Sequence, residues 1–170
     1  MRRMPWRRRA LAPFLLLVAL NVSSATENQI DLAAVITKTD AQSLLGEPVK
    51  DAQARNEDGA DGSYSRCNYY SENPGRSLTL RIRQAGPGQL EPKKQLEEMS
   101  AGNARFKAVT GLGENAAFMK EGPAKGPAHV LMLYVVKGNA FITVGISGVD
   151  DEKSATEKAK TLAKKILSKL

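Results

Sequence analysis

The most regular pattern in the chain is RSLTLRIRQ, where Leu78, Leu80 and Ile82 fall on one face of an extended backbone and Thr79, Arg81 and Arg83 on the other. This period of two predicts a half-buried strand. Further on, HVLMLYVV and AFITVGIS are dense in β-branched and aromatic residues and are separated by KGN alone. A two-residue turn centred on Gly138 and Asn139 suits the primed types that hairpins favour. Both segments are apolar at nearly every position, so the hairpin is expected in the middle of a sheet with both faces covered.

Elsewhere the period lengthens. Ala155, Ala159, Leu162, Ala163, Ile166 and Leu170 recur at three- and four-residue spacing and predict a helix over about 153–169, with Ser154 and Glu157 as a capping box. Such a helix is marginal alone in water, so it needs the sheet to lie on. ITKTDAQSLLG predicts a compact helix, opened by Thr37 with Asp40 as a capping box and stopped at Gly46. A third helix over about 91–101 starts near Pro92 and carries sparse apolar positions (Leu90, Leu96, Met99), which places it at the surface. The turn-forming residues Asn56, Asp58, Gly59, Asp61 and Gly62 separate strands expected at about 49–55 and 64–70. With RSLTLRIRQ after the ENPG turn, these make an antiparallel meander. ARFKAVTGLGENAAFM reads as two short extended pieces about a glycine turn. The expectation is one α+β domain, an antiparallel sheet of five to six strands, with the C-terminal helix on one face and the shorter helices on the other.

The first 25 residues fit none of this. MRRMPWRRR carries five arginines and no acid, ALAPFLLLVAL is an apolar run of eleven, and NVSSA puts Ser23 and Ala25 at −3 and −1 of a cut before Thr26. A run of eleven is too short to cross a bilayer, which needs about 20 residues. Residues 1–25 are therefore expected to be a cleaved signal peptide and 26–170 the domain, periplasmic or secreted, with no transmembrane segment after cleavage. Arg8 and Arg9 leave twin-arginine export open beside general secretion. No cysteine follows the apolar run to take a lipid. The whole chain has 25 basic and 18 acidic residues, net +7, and loss of the leader's five arginines lowers that to +2. The basic balance thus belongs to the leader, and a nucleic-acid partner, which needs a clustered basic face, is not expected. A domain of 145 residues buries about 70% of its unfolded surface and needs no disulfide staple. A monomer is expected.

Candidate chemistry is sparse. His129 is the single histidine and has no cluster of ligand-type residues beside it, so no metal site is expected. A dispersed enzymatic site with His129 as base is an alternative, though no Gly-x-Ser-x-Gly elbow accompanies it. The Gly-x-Gly of TGLGENA lacks the rest of a phosphate loop, and Asp58 and Asp61 lack the closing glutamate of a calcium loop. No catalytic residue and no cofactor is assigned. Two surfaces remain: a basic strip of Arg66, Arg81 and Arg83, and beside it Tyr64, Tyr69 and Tyr70, together able to receive an anionic or extended partner.

The stretches ITKTDAQSLLG, CNYY, VTGLGENAAF and LYVVKGNAFITV, followed by the amphipathic helix, resemble in their order certain small bacterial envelope proteins, many of them lipoproteins. These are similar in outline to the PsbP-like α/β/α sandwich. Many such proteins carry a cysteine just before the opening helix, where this chain reads DLAAVIT with Ala33 and Ala34. The resemblance thus implies that Cys67, the one cysteine, is the remaining half of a lost disulfide, buried as a small apolar side chain. It carries no catalytic residues. The function expected is a non-enzymatic exported binding or accessory module for a protein, peptide or small amphipathic ligand. One alternative is a structural envelope component that meets anionic lipid or polymer through the lysines of the last helix.

Overall fold

The computed structural model describes residues 29–123, 126 and 128–170. The expected leader, with a cut expected between Ala25 and Thr26, lies outside the described residues. The elements run α1 (Leu32–Val35), α2 (Lys38–Leu45), β1 (Gln53–Gly59), β2 (Gly62–Tyr70), β3 (Ser77–Ala85), α3 (Pro92–Ser100), β4 (Phe106–Val109), β5 (Asn115–Glu121), β6 (Val130–Lys137), β7 (Ala140–Ser147) and α4 (Glu152–Leu167). The sheet has the order β1-β2-β3-β7-β6-β5-β4, with every pairing antiparallel. Two meanders, β1–β2–β3 and β4–β5–β6–β7, are zipped together along β3 and β7, and α3 carries the chain between them.

The α+β class stands, but the sheet has seven strands, not five or six. Every extended piece read from the sequence joins it, the two short ones about the glycine turn as β4 and β5. β1 lies at Gln53–Gly59 rather than 49–55, its residues almost all exposed and its Asn56 and Asp58 in the ladder opposite Ser65 and Ser63. An edge strand wet on both faces makes no demand for apolar residues, so turn-forming types occupy it without penalty from burial. The turn itself shrinks to Ala60 and Asp61 between the paired Gly59 and Gly62.

The helices also divide differently from expectation. α1, α2 and α4 share one face and enclose a single core with Leu78, Leu80 and Ile82 of β3, Leu131, Leu133 and Val135 of β6, and Ile142, Val144 and Ile146 of β7. α4 turns Ala155, Ala159, Leu162, Ala163 and Ile166 inward, and its alanines let the helix lie close on β6 and β7. Asp151 caps it by accepting from Ser154 N (3.0 Å), so the expected Ser154–Glu157 box is not the cap; Glu157 pairs with Lys160 instead. In α2 the Thr37–Asp40 capping box forms as read from the sequence. Lys165 of α4 reaches Asp40 at 2.5 Å and Lys158 donates to the Ser43 carbonyl at 2.6 Å, tying the two helices together.

The β6–β7 hairpin turns at Gly138 and Asn139, with Gly138 at φ 53 and Asn139 at negative φ, the pattern of a type II′ turn. Gly113 in the Gly-x-Gly stretch also has positive φ (60), and a Cβ there would lie 2.4 Å from the Val136 carbonyl. That glycine permits a close backbone approach to β6.

Candidate functional site

The second face of the sheet is covered less completely. By the alternation of the strands, Tyr64 and Arg66 of β2, Thr79, Arg81 and Arg83 of β3, Phe141, Thr143 and Gly145 of β7, and Met132 and Tyr134 of β6 all project to it. α3 is the one helix packed there among the described residues, over β6 and β7, with Leu96 buried among Ala117, Met119, Tyr134, Val136 and Phe141. Between α3, the 86–91 loop and the uncovered part of the sheet runs a groove of about 640 Å³, within the range of small-molecule sites. A larger depression of about 1010 Å³ lies at the end of the sheet, but turn residues such as Ala60, Pro87 and Gly138 make its walls. The sheet-floored groove offers the anchoring side chains.

One wall of the groove is apolar. Met132 and Tyr134 rise from β6, and Leu90 and Met99 lean in from the loop and α3, exposed to 42% and 37%. Tyr134 is fixed between Phe106 (ring centroids 5.7 Å apart) and Phe141 (5.8 Å), and burial raises its hydroxyl pKa. Gly145 sits in the floor opposite Met132 and Thr79; a Cβ there would come within 2.9 Å of the Met132 sulfur, so the missing side chain is where Met132 lies. A glycine inside a central strand often marks such a close approach.

The other wall is basic. Arg55, Arg66 and Arg81 stand directly opposite one another across β1, β2 and β3. Like charges in that relation repel. Glu57 takes Arg55 at 3.0 Å and Arg66 at 2.9 Å, and Arg66 also lies over the Tyr64 ring at 5.4 Å. Arg66 Nε is buried without a hydrogen-bond partner among the described residues. Arg81 is exposed, and its side chain makes no hydrogen bond or ion pair among the described residues. Nearby, Asp61 accepts from the Tyr64 hydroxyl at 2.7 Å; this bond and the Arg83 charge hold its carboxyl below the usual range against the opposing effect of desolvation. The Tyr64 hydroxyl is pushed up by burial and by Asp61.

The residues singled out in the sequence do not all meet here. Arg81, Arg66 and Tyr64 line the groove with free or partly free groups. Arg83 lines it too, yet it is only 8% exposed and is committed elsewhere. Its Nη2 donates to the Leu90 carbonyl (2.6 Å) and Gln95 Oε1 (2.8 Å), pinning the loop and α3 to the sheet. Tyr69 is on the opposite face, 1% exposed, donating its hydroxyl to the Ile36 carbonyl at 2.5 Å. Period-two alternation puts it with Cys67 and away from Arg66. Tyr70 shares the arginine face but lies at the exposed end of β2, outside the groove. The expected row of three tyrosines is therefore not assembled.

Cys67 is fully buried, and desolvation pushes its thiol up against a smaller opposing hydrogen bond with Tyr69. His129 is 4% exposed, with Nδ1 2.9 Å from the Pro123 carbonyl. A carbonyl only accepts, so Nδ1 carries the proton there. Neither residue lines the groove. Asp58 accepts from Gln29 Nε2 at 2.8 Å, and no group of three or more His, Cys, Asp or Glu poised to hold a metal occurs among the described residues. The sequence reading passed over Gly145, Met132, Tyr134, Leu90 and Met99. The glycine in AFITVGIS was the signal for the first, and two apolar residues about an otherwise charged helix were the signal for the last pair. The chain matches no protein-family model and none of the curated proteins.

Proposed function

We propose that this chain is an exported, non-catalytic binding module whose groove beneath α3 holds a small amphipathic ligand. The observation that carries the reading is the groove itself, with Met132, Tyr134, Leu90 and Met99 on one wall and polar and basic groups on the other. Apolar walls with a few convergent polar groups are what a ligand pocket needs. Within it, Thr79, Thr143, Ser77 and Ser147 have, among the described residues that line the groove, no histidine, cysteine or lysine beside them to activate a hydroxyl, which favours binding over turnover. The leader-like first 25 residues and the resemblance to envelope proteins support the exported placement. Among the described residues no helix is long and apolar enough to cross a membrane. For the alternative of a lysine-bearing α4 docking on an anionic surface, Lys158, Lys160 and Lys165 are already engaged by Ser43, Glu157 and Asp40, which weakens it.

The test uses Nile red, an uncharged dye that brightens in apolar sites, and the variant Gly145→Val. The valine side chain occupies the floor where Met132 now lies and suits a strand. Dye uptake by the native protein and its loss in the variant, with circular dichroism unchanged, is the expected result. No uptake by the native protein, or equal uptake by both, refutes the reading.

A further inference from the structure

We propose that the occupant of the groove is an amphipathic anion, its head seated on Arg81 with Arg66 beside it and its apolar body lying across β7 onto Met132 and Tyr134. The inference rests on the binding reading above and adds the charge and polarity of the ligand.

Three observations point to an anion. The row Arg55–Arg66–Arg81 places three guanidiniums side by side with one carboxylate, Glu57, among them, and Glu57 is spent on the first two. Arg81, at the groove end of that row, is left without a counter-charge among the described residues. In addition, Arg66 keeps a buried Nε donor unpaired, although buried donors are nearly always satisfied. A carboxylate, sulfonate or phosphate between Arg66 and Arg81 relieves the repulsion and supplies the missing acceptor. Arg83 also keeps a buried Nε unpaired, but it is only 8% exposed and its Nη atoms are taken by Leu90, Gln95 and Asp61, so it is no part of this anchor.

The register fixes the rest of the ligand. Arg81 pairs with Thr143, and Thr143 with Tyr134, so the head site and the aromatic wall are two strands apart. At about 4.8 Å per strand, the distance from head to body is about 10 Å. Thr143 and Gly145 between them leave a low floor across which a chain can pass. A peptide is disfavoured as occupant because an extended main chain seeks backbone partners, and the N–H and C=O groups of β2, β3, β7 and β6 already pair within the ladder. A medium-length apolar tail on a single negative head has both parts the groove answers.

Displacement of Nile red by decanoate, decanol and decyltrimethylammonium tests the proposal. Decanoate is expected to displace the dye at a concentration about tenfold lower than decanol, the ratio that one charge-assisted contact supplies. Added salt should erode that advantage, since the head site is open to solvent. In Arg81→Gln the acid and the alcohol should become equal, and in Arg81→Glu the cation should displace best, each read against that variant's own dye signal. Arg81 touches no partner that the fold needs, so both variants are expected to fold. Equal displacement by decanoate and decanol in the native protein, or an undiminished preference for decanoate in Arg81→Gln, overturns the anion. Failure of Nile red to enter at all would instead overturn the groove as a binding site, so the two failures are distinct.

Discussion

Arg81 and Arg83 are two residues apart on one strand face, and their neighbours give them opposite duties. Arg83 is enclosed and its Nη2 serves both the Leu90 carbonyl and Gln95, so its loss leaves two part-buried acceptors unpaired. Arg83→Met is expected to cost about 1.5–3 kcal/mol in urea unfolding, the range for hydrogen bonds to a charged group. Arg81→Gln should change stability by less than about 0.5 kcal/mol, as is usual for an exposed side chain without partners. Equal effects from the two substitutions would refute the division. From the sequence both arginines read alike, because alternation reports the face of a strand and not what folds over it. Cys67 gives a second residue-scale prediction. Its thiol is buried and its pKa raised by desolvation, with the Tyr69 hydrogen bond opposing, so the reactive thiolate is scarce as well as shielded. A disulfide reagent should modify it no faster than the protein opens, and at once when denaturant is added. Rapid labelling of the native protein would contradict the burial.

At the scale of elements, what could be read depended on whether a segment's own residues carried its reason. β3, the β6–β7 hairpin, α2 and α4 did, through alternation, a Gly-Asn turn, the Thr37–Asp40 box and a recurrent apolar stripe. β1 did not, because an exposed edge strand is held by its partner's backbone and leaves no period in side-chain polarity. Nor could the sequence show that α1 and α2 pack beside α4, since that depends on contacts between segments more than a hundred residues apart, such as Lys165 with Asp40. That contact can be tested by pH. Partial burial raises the Asp40 carboxyl pKa, but Lys165 together with the Thr37 backbone and hydroxyl more than offsets this and holds it below the ordinary value. A carboxyl whose pKa is lowered by folding stabilises the protein fully above its unfolded pKa, and that contribution drains away as pH falls toward the folded value. Asp40→Asn should therefore cost about 1 kcal/mol at neutral pH, the scale of a lost cap. The difference between native and variant stabilities should begin to shrink near about pH 4, where the unfolded carboxyl starts to take up its proton, and close only below the lowered folded value. A difference that persists undiminished in acid would mean the carboxylate charge is not what matters.

At the scale of the whole molecule, the two faces of the sheet are held unequally. α4 turns five buried residues onto a core shared with α1 and α2, whereas α3 buries only Pro92 and Leu96 and is held besides by the Arg83–Gln95 bond. Local opening follows the weakest attachment, so free energies of opening should differ between these helices within one folded molecule. Amide hydrogen exchange is expected to show β3, β7 and β6 opening only with the whole protein, α4 close behind, and α3 with the 86–91 loop far earlier. Arg83→Lys should quicken exchange in α3 most, because a shorter and more strongly hydrated ammonium does not keep the reach of Nη2 to Leu90 and Gln95 together with that of Nη1 to Asp61, while α4 is left nearly unchanged. If the groove binds as inferred, saturating decanoate should slow α3 and its loop and leave α4 alone, since Leu90 and Met99 lie on the moving side and the ligand bridges them to the sheet. The same loose attachment that makes α3 the first element to open is then what lets a ligand enter over central strands whose backbone is already paired. Exchange in α3 as slow as in α4, in the free protein, would remove both the hierarchy and that route of entry.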